Sequence, residues 1–230
     1  MVNSFLQSFS SVTSKVIGKE PDSSKVYFIL QLGCIVPSGK VHKQEDALSS
    51  TPIELFSKLN SFRGLDIDKF PHRVVSLGTT QAFDWWHFMI ASRGQRLRVF
   101  KGEYPYHRDV AYHWKHTQYI ENAPLQQGDA VIVSIPFSGT GDKPAQWKWL
   151  IKECEHKDIP IYVDCAWFGC CEDMEAKLAH APVQAVAFST TKGLSCGNWR
   201  AGMVFTREDY SSLHLQTEWH HGIHLNVSIG

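Results

Sequence analysis

Near the middle of the chain stand Ala130-Val-Ile-Val-Ser134, a helical pattern over about 144–156, and Ile159-Pro-Ile-Tyr-Val-Asp164, in that order. Two short runs rich in β-branched residues with a helix-length segment between them cannot form a tight hairpin. A crossover helix carries the chain back, and the two strands run parallel. The same rhythm extends in both directions. Upstream, Arg73-Val-Val-Ser-Leu-Gly78 reads as a strand, Gln81 to about Ser92 as an aromatic-rich helix capped by Thr79-Thr80, Arg96-Leu-Arg-Val-Phe100 as a strand and about 107–117 as a helix. Downstream, residues 183–189 and 202–206 read as strands. The predicted class is α/β, a three-layer, mostly parallel sheet flanked by helices and buried on both faces.

Composition fits that class. The chain has 230 residues, 43% of them hydrophobic, which is enough to bury a substantial core and excludes disordered, collagen-like and coiled-coil classes. Lys+Arg number 23 and Asp+Glu 23, so no general attraction draws the chain to nucleic acid or anionic lipid, and a small-molecule substrate is expected. No run approaches the ~18 apolar residues of a membrane span, and the N-terminus lacks a basic region followed by an apolar one. A cytoplasmic protein is expected, with no membrane or nucleic-acid partner. The six cysteines, Cys34, Cys154, Cys165, Cys170, Cys171 and Cys196, form no regular framework and read as reduced core thiols.

The N-terminal part divides from the rest. Phe5, Leu6, Phe9, Val12, Val16 and Ile17 approximate one helix face, a polar stretch follows, and residues 26–36 are strand-like. Residues 1–45 are therefore expected to form an arm with a first strand, and 46–230 a single large domain. That domain opens on a short helix at 52–62, signalled by Thr51-Pro52 and by Glu54 in its first turn.

In an open parallel sheet, ligands collect beyond the carboxyl ends of the strands. After the 183–188 run comes Ser189-Thr-Thr-Lys192-Gly-Leu-Ser-Cys-Gly-Asn-Trp-Arg200-Ala-Gly202. A lysine at a strand end, in partly apolar surroundings, loses hydration of its ammonium form. Its pKa falls, and it becomes suited to forming a Schiff base. A surface lysine would be the ordinary alternative.

The spacing Ser189-x-x-Lys192, with Arg200 eight residues on and Gly202 two beyond that, resembles the lysine motif of the fold-type I pyridoxal-phosphate (PLP) aminotransferase superfamily. The resemblance implies that Lys192 carries pyridoxal 5'-phosphate as an internal aldimine, and that Ser189 and Arg200 contact the cofactor phosphate, for which a guanidinium fork beside a hydroxyl is well shaped. Other segments match in the family's order. Asp164-Cys-Ala166-Trp167-Phe-Gly169 resembles Asp-x-Ala-Tyr-x-Gly, which implies that Asp164 pairs with the pyridine nitrogen and keeps the ring an electron sink. Gly78-Thr79-Thr80-Gln-Ala82 resembles the phosphate loop, at a helix start whose N–H groups and dipole favour an anion. Glu103-Tyr104-Pro-Tyr106 resembles Tyr-Pro-x-Tyr, which implies that Tyr104 stacks on the cofactor ring.

Two positions depart from the pattern. Ser138, in Ser134-Ile-Pro-Phe-Ser138-Gly139-Thr-Gly141, stands where the family has an asparagine donating to the cofactor 3'-oxygen, and Trp167 where it has a tyrosine donating to the same atom. A serine and an indole N–H can donate, but with different reach. The resemblance implies an aminotransferase acting on an amino acid or other small amine, and a homodimer whose arm crosses to the partner. A PLP-dependent lyase, decarboxylase or racemase of the same fold stays open, as does a non-catalytic scaffold, because the small domain that usually follows is expected to be absent. The histidines His107, His113, His116, His220, His221 and His224 give two i,i+3 or i,i+4 pairs but no third ligand of clear spacing, so no metal is expected. Trp85-Trp86-His87-Phe88 reads as core packing behind the phosphate loop.

Overall fold

The computed structural model describes residues 64–112, 118–171, 174–189, 191–192 and 202–218. The expected arm and strand of residues 1–45 and the helix at 52–62 lie outside the described residues, as do Arg200 and His113, His116, His220, His221 and His224.

Among the described residues, seven strands form one sheet: β1 (His72–Ser76), β2 (Arg96–Val99), β3 (Gln118–Tyr119), β4 (Asp129–Ser134), β5 (Ile161–Cys165), β6 (Val183–Ser189) and β7 (Gly202–Thr206). The α-helices among the described residues are α1 (Thr79–Ser92), α2 (Pro105–Tyr112), α3 (Trp147–His156) and α4 (Ser211–Glu218). The spatial order is β1-β7-β6-β5-β4-β2-β3. The pairs β6/β5, β5/β4, β4/β2 and β2/β3 are parallel, whereas β7 runs antiparallel to both β6 and β1. The mostly parallel α/β sheet read from the sequence is the architecture found.

Alternation along the strands sorts the two faces. Val131 and Val133 of β4, Ile161 and Val163 of β5 and Val186 of β6 join Trp147, Leu150, Ile151 and Cys154 of α3 in one core. Ala130, Ile132, Tyr162, Ala185, Ala187 and Val204 join Phe83, Trp85 and Trp86 of α1 in the other. The small alanines on this second face leave room for α1 to lay two indoles across β5, β6 and β7, and Trp86 packs its ring 5.7 Å from that of Tyr162. Every residue of β4 and β5 is buried, as a parallel strand covered on both faces requires.

Several expectations need correction. The α1 helix begins at Thr79 and not at Gln81, and its N-cap is Gly78 with no side-chain cap, so Thr79 and Thr80 are helical residues instead of caps. Gly78 can take this role because its φ of 85° lies in the left-handed region, and Gln81 Oε1 reaches back to accept the Leu77 N–H at 2.8 Å. Pro160 stays outside β5, since it has no N–H for the ladder. Phe88 is 58% exposed, so the aromatic cluster is core only at Trp85, Trp86 and His87. The sequence reading also missed β3 and α4; β3 is only two residues long and makes no alternating pattern.

Candidate active site

Because β7 runs against its neighbours, its first residue, Gly202, lies at the same sheet edge as the carboxyl ends of β1 and β6. It pairs with Ser76 on one side and Ser189 on the other. The chain leaving β1 folds over it: a Cβ at Gly202 would stand 2.6 Å from Gly78 Cα and 2.5 Å from the Phe188 carbonyl oxygen. Only glycine fits, and the close approach brings the start of α1 beside the loop after β6. Ser76 Oγ donates to the Gly78 carbonyl at 3.0 Å and holds the turn. The Ser189 and Thr191 hydroxyls are 2.5 Å apart, Thr191 N donates to Ser189 Oγ at 3.2 Å, and a Cβ on Gly78 would meet these two oxygens at 3.4 and 3.8 Å. Helix N-terminus and paired hydroxyls thus form one small polar cradle of the kind that suits a phosphate.

Next along the edge is Asp164, near the end of β5 and 5% exposed. It accepts the Ala166 N–H at 3.0 Å and is hydrogen-bonded by Thr79 of α1. Burial, joined by the negative charge of Glu103, pushes its pKa up to about 7; the Ala166 and Thr79 hydrogen bonds and the charge of Lys192 pull the other way. Lys192 is half-buried, and burial lowers its pKa, against the charges of Asp164 and Cys170. Its Nζ lies 3.8 Å from the centre of the Trp167 ring, a cation–π contact. Sequence reasoning therefore brought together Gly78, Thr79, Asp164, Trp167, Ser189 and Lys192, which the structure places at one edge. Thr80 is the second residue of α1, and Trp167, 46% exposed, offers Lys192 the face of its indole.

The loops after β2 and β4 close the other flank. Tyr104, 45% exposed, stacks on Tyr106 with centroids 6.0 Å apart and planes 8° from parallel, and the Tyr106 hydroxyl donates to Asp84 at 2.8 Å. Behind them His87 and His107 face each other at 3.3 Å, both buried. Burial drives their pKa values down to about 4 and about 3, with His87 adding its charge against His107, so both rings are neutral near pH 7. The Ser138 hydroxyl lies 2.9 Å from Glu103 Oε1 and 2.9 Å from Ser134 Oγ, and its N–H donates to Ser134 Oγ at 2.9 Å. Glu103, like Thr191, is a residue that sequence reasoning missed. Its only signal was its place directly before Tyr104, and a lone glutamate in a loop reads as solvated.

The thiols Cys154 and Cys165 are buried in the core, and Cys170 and Cys171 half-buried, all of them free. Cys34 and Cys196 lie outside the described residues. Among the described residues, no helix is long and apolar enough to cross a membrane.

No family model matches the sequence, and no curated protein matches it. Solved structures do. A PLP-bound C–S lyase from Staphylococcus hominis superposes with a TM-score of 0.58 at 13% identity, over 90% of this chain and 57% of that one. The aspartate aminotransferase from Rhizobium meliloti gives 0.57 at 14% identity, over 77% and 49%. The histidinol-phosphate aminotransferase from Clostridium acetobutylicum gives 0.55 at 14%, over 90% and 64%. The chain spans roughly half to two thirds of the length of these proteins. It has the α/β large-domain fold that they share, the fold of the PLP-dependent transferases.

Proposed function

We propose that the chain is a pyridoxal 5'-phosphate-dependent enzyme acting on an amino acid or other small amine, as an aminotransferase. The observation that carries this reading is the arrangement at the sheet edge: a half-buried lysine whose pKa burial lowers and a buried aspartate whose charge acts on it, beside a hydroxyl-lined helix start. These residues fit the cofactor. The cradle of Gly78, Thr79, Thr80, Ser189 and Thr191 would take its phosphate, joined by Arg200, which matches the family motif. Asp164 would take its pyridine nitrogen, Tyr104 its ring face, and Lys192 its aldehyde carbon. When bound, the cofactor supplies an electron sink for the pair of electrons released at the substrate Cα.

The protein's own part is proton handling and orientation. Asp164 would face the ring nitrogen and could share a proton with it near neutral pH, since desolvation and the charge of Glu103 both favour its protonated form. Burial moves Lys192 toward a neutral amine, the form needed to attack a carbonyl carbon or to remove the Cα proton. The Trp167 face beside it excludes water on one side and fixes the direction of Nζ. A second reading, a lyase, decarboxylase or racemase, is favoured by one observation: where the aminotransferase pattern has an asparagine, Ser138 stands with its hydroxyl against Glu103. We extend the proposal to a cytoplasmic homodimer.

The test is spectroscopic. Purified protein given pyridoxal 5'-phosphate should acquire a chromophore that borohydride fixes to Lys192, and Lys192→Ala should lose both the fixation and turnover. Full activity in Lys192→Ala would overturn the assignment, and no chromophore at all would favour the scaffold reading. Incubation with an amino-acid panel and 2-oxoglutarate, read as glutamate formed, separates transamination from the second reading.

A further inference from the structure

Tyr104 stands directly before α2, and its backbone is held on both sides: Glu103 Oε1 accepts its N–H at 2.9 Å, and its carbonyl accepts the His107 N–H at 3.1 Å. Its side chain is 45% exposed, so burial does not fix the tilt of the ring. Tyr106 does. The two tyrosine planes lie 8° from parallel with centroids 6.0 Å apart, whereas Phe83 meets Tyr104 at 57° and 6.3 Å. Tyr106 is in turn fixed to α1 at two points: its hydroxyl donates to Asp84 at 2.8 Å, and its ring packs 5.0 Å from that of Phe83. Burial, then the hydrogen bond to Asp84 and its charge, push the Tyr106 pKa up to about 12, so the hydroxyl remains a donor near neutral pH. The α1 helix starts at Thr79 in the polar cradle, and Phe83 lies about one turn along it, a rise of ~6 Å.

We propose that Asp84 and Tyr106 are positioning residues for Tyr104. Their hydrogen bond anchors the stacked pair of rings to α1, so that one helix sets both the cradle at its start and the tilt of the exposed ring. The ligand class that suits such a pairing is a flat aromatic ring carrying a phosphate or other anionic group. Asp84 acts here as a hydrogen-bond acceptor and not through its charge. Asparagine, which keeps a side-chain oxygen, can therefore replace it, and alanine cannot. The choice of pyridoxal 5'-phosphate as the probe rests on the function proposed above; the anchoring of the rings does not.

Two measurements test this. In the first, without ligand, the protein is labelled with 3-fluorotyrosine and the Tyr104 signal is assigned by fluorine NMR with Tyr104→Phe. That signal should move in Asp84→Ala and in Tyr106→Phe, which remove the same hydrogen bond from either end, and stay near its wild-type position in Asp84→Asn. A Tyr104 signal unmoved in a folded Asp84→Ala or Tyr106→Phe protein overturns the proposal. In the second, pyridoxal 5'-phosphate is titrated into the wild type, Asp84→Ala, Asp84→Asn, Tyr104→Leu and the Asp84→Ala/Tyr104→Leu double variant. Tyr104→Leu should bind about fivefold more weakly and Asp84→Ala about threefold, within the worth of one aromatic stack. Asp84→Asn should bind as the wild type does, and Asp84→Ala should cost nothing further once Tyr104 is gone. A second threefold loss in the double variant, or an Asp84→Asn as weak as Asp84→Ala, overturns the proposal. If the wild type does not bind pyridoxal 5'-phosphate, the cofactor reading fails while the fluorine signal still judges the anchoring.

Discussion

Gly202→Ala tests how the site is assembled. The new Cβ would lie 2.5 Å from the Phe188 carbonyl oxygen, 2.6 Å from Gly78 Cα and 3.0 Å from Gly78 C. Comfortable contacts begin near ~3.5 Å, so the two nearest atoms must each retreat by about 1 Å. Both are backbone, one in the central ladder and one in the turn that starts α1, so no rotamer change relieves them. Overpacking of this kind costs ~1–3 kcal/mol, and two rigid obstacles place the expected value at about 3 kcal/mol. For a chain of this size each kcal/mol is worth ~2–4 °C, giving a fall in Tm of roughly 6–12 °C. The assay is thermal unfolding followed by circular dichroism, with Gly94→Ala as a control. Gly94 has φ of 63° and nothing within 4 Å of its Cβ position, so its cost is the left-handed backbone alone, about 1 kcal/mol and ~2–4 °C. Displacing Gly78 should also weaken pyridoxal 5'-phosphate binding by about tenfold, as loss of one anion contact at a helix start implies. A Gly202→Ala protein that melts within about 2 °C of wild type, or above Gly94→Ala, would refute the close approach as the reason for glycine.

The buried groups give further outcomes. Tyr162 is fully buried with no hydrogen-bond partner for its hydroxyl among the described residues, so Tyr162→Phe keeps the ring against Trp86 and removes that polar atom; stability should be unchanged or higher by up to ~1 kcal/mol in a denaturant titration, and a clear loss would show that the hydroxyl is paired. Asp164, raised from 3.8 to about 7, keeps a proton in the fold that the unfolded chain gives up, so its contribution weakens as pH rises through that window, by up to roughly 4 kcal/mol. His87 and His107 act in the opposite direction: lowered from 6.5 to about 4 and about 3, they stay neutral in the fold while the unfolded chain takes up protons, and stability falls as pH drops below 6.5. Between pH 4 and 7, Asp164→Asn should therefore gain stability with pH more steeply than wild type, and identical slopes would contradict the burial of that charge.

Much of the fold was legible because its signals are local. The apolar runs of β4 and β5, with a helix-length segment between them, specify a parallel crossover whatever lies elsewhere, and the boundaries moved by only a few residues, as at Pro160. The cap of α1 was misread because Thr79 and Thr80 are good capping residues on their own, while the decision rested on Gly78, whose left-handed φ lets the loop lie flat over Gly202. The candidates Lys192, Asp164, Gly78 and Ser189 were legible, because their chemistry and spacing stand in the chain itself, and the structure places them at one sheet edge. Ser138 and Glu103 were not, since which group a serine donates to depends on a carboxylate 35 residues away.

Residue order alone determined the α/β class, the parallel core strands and the candidates Lys192, Asp164 and Ser189, because strand and helix periods and residue chemistry are properties of short segments. Only the tertiary structure decided that β7 turns against its neighbours, that Gly202 admits Gly78 to the cradle, that Glu103 lies against Ser134 and Ser138, and that Asp164 and Lys192 are both displaced from their ordinary ionisation. Those are matters of proximity and desolvation, and both arise only when distant segments are packed together out of water.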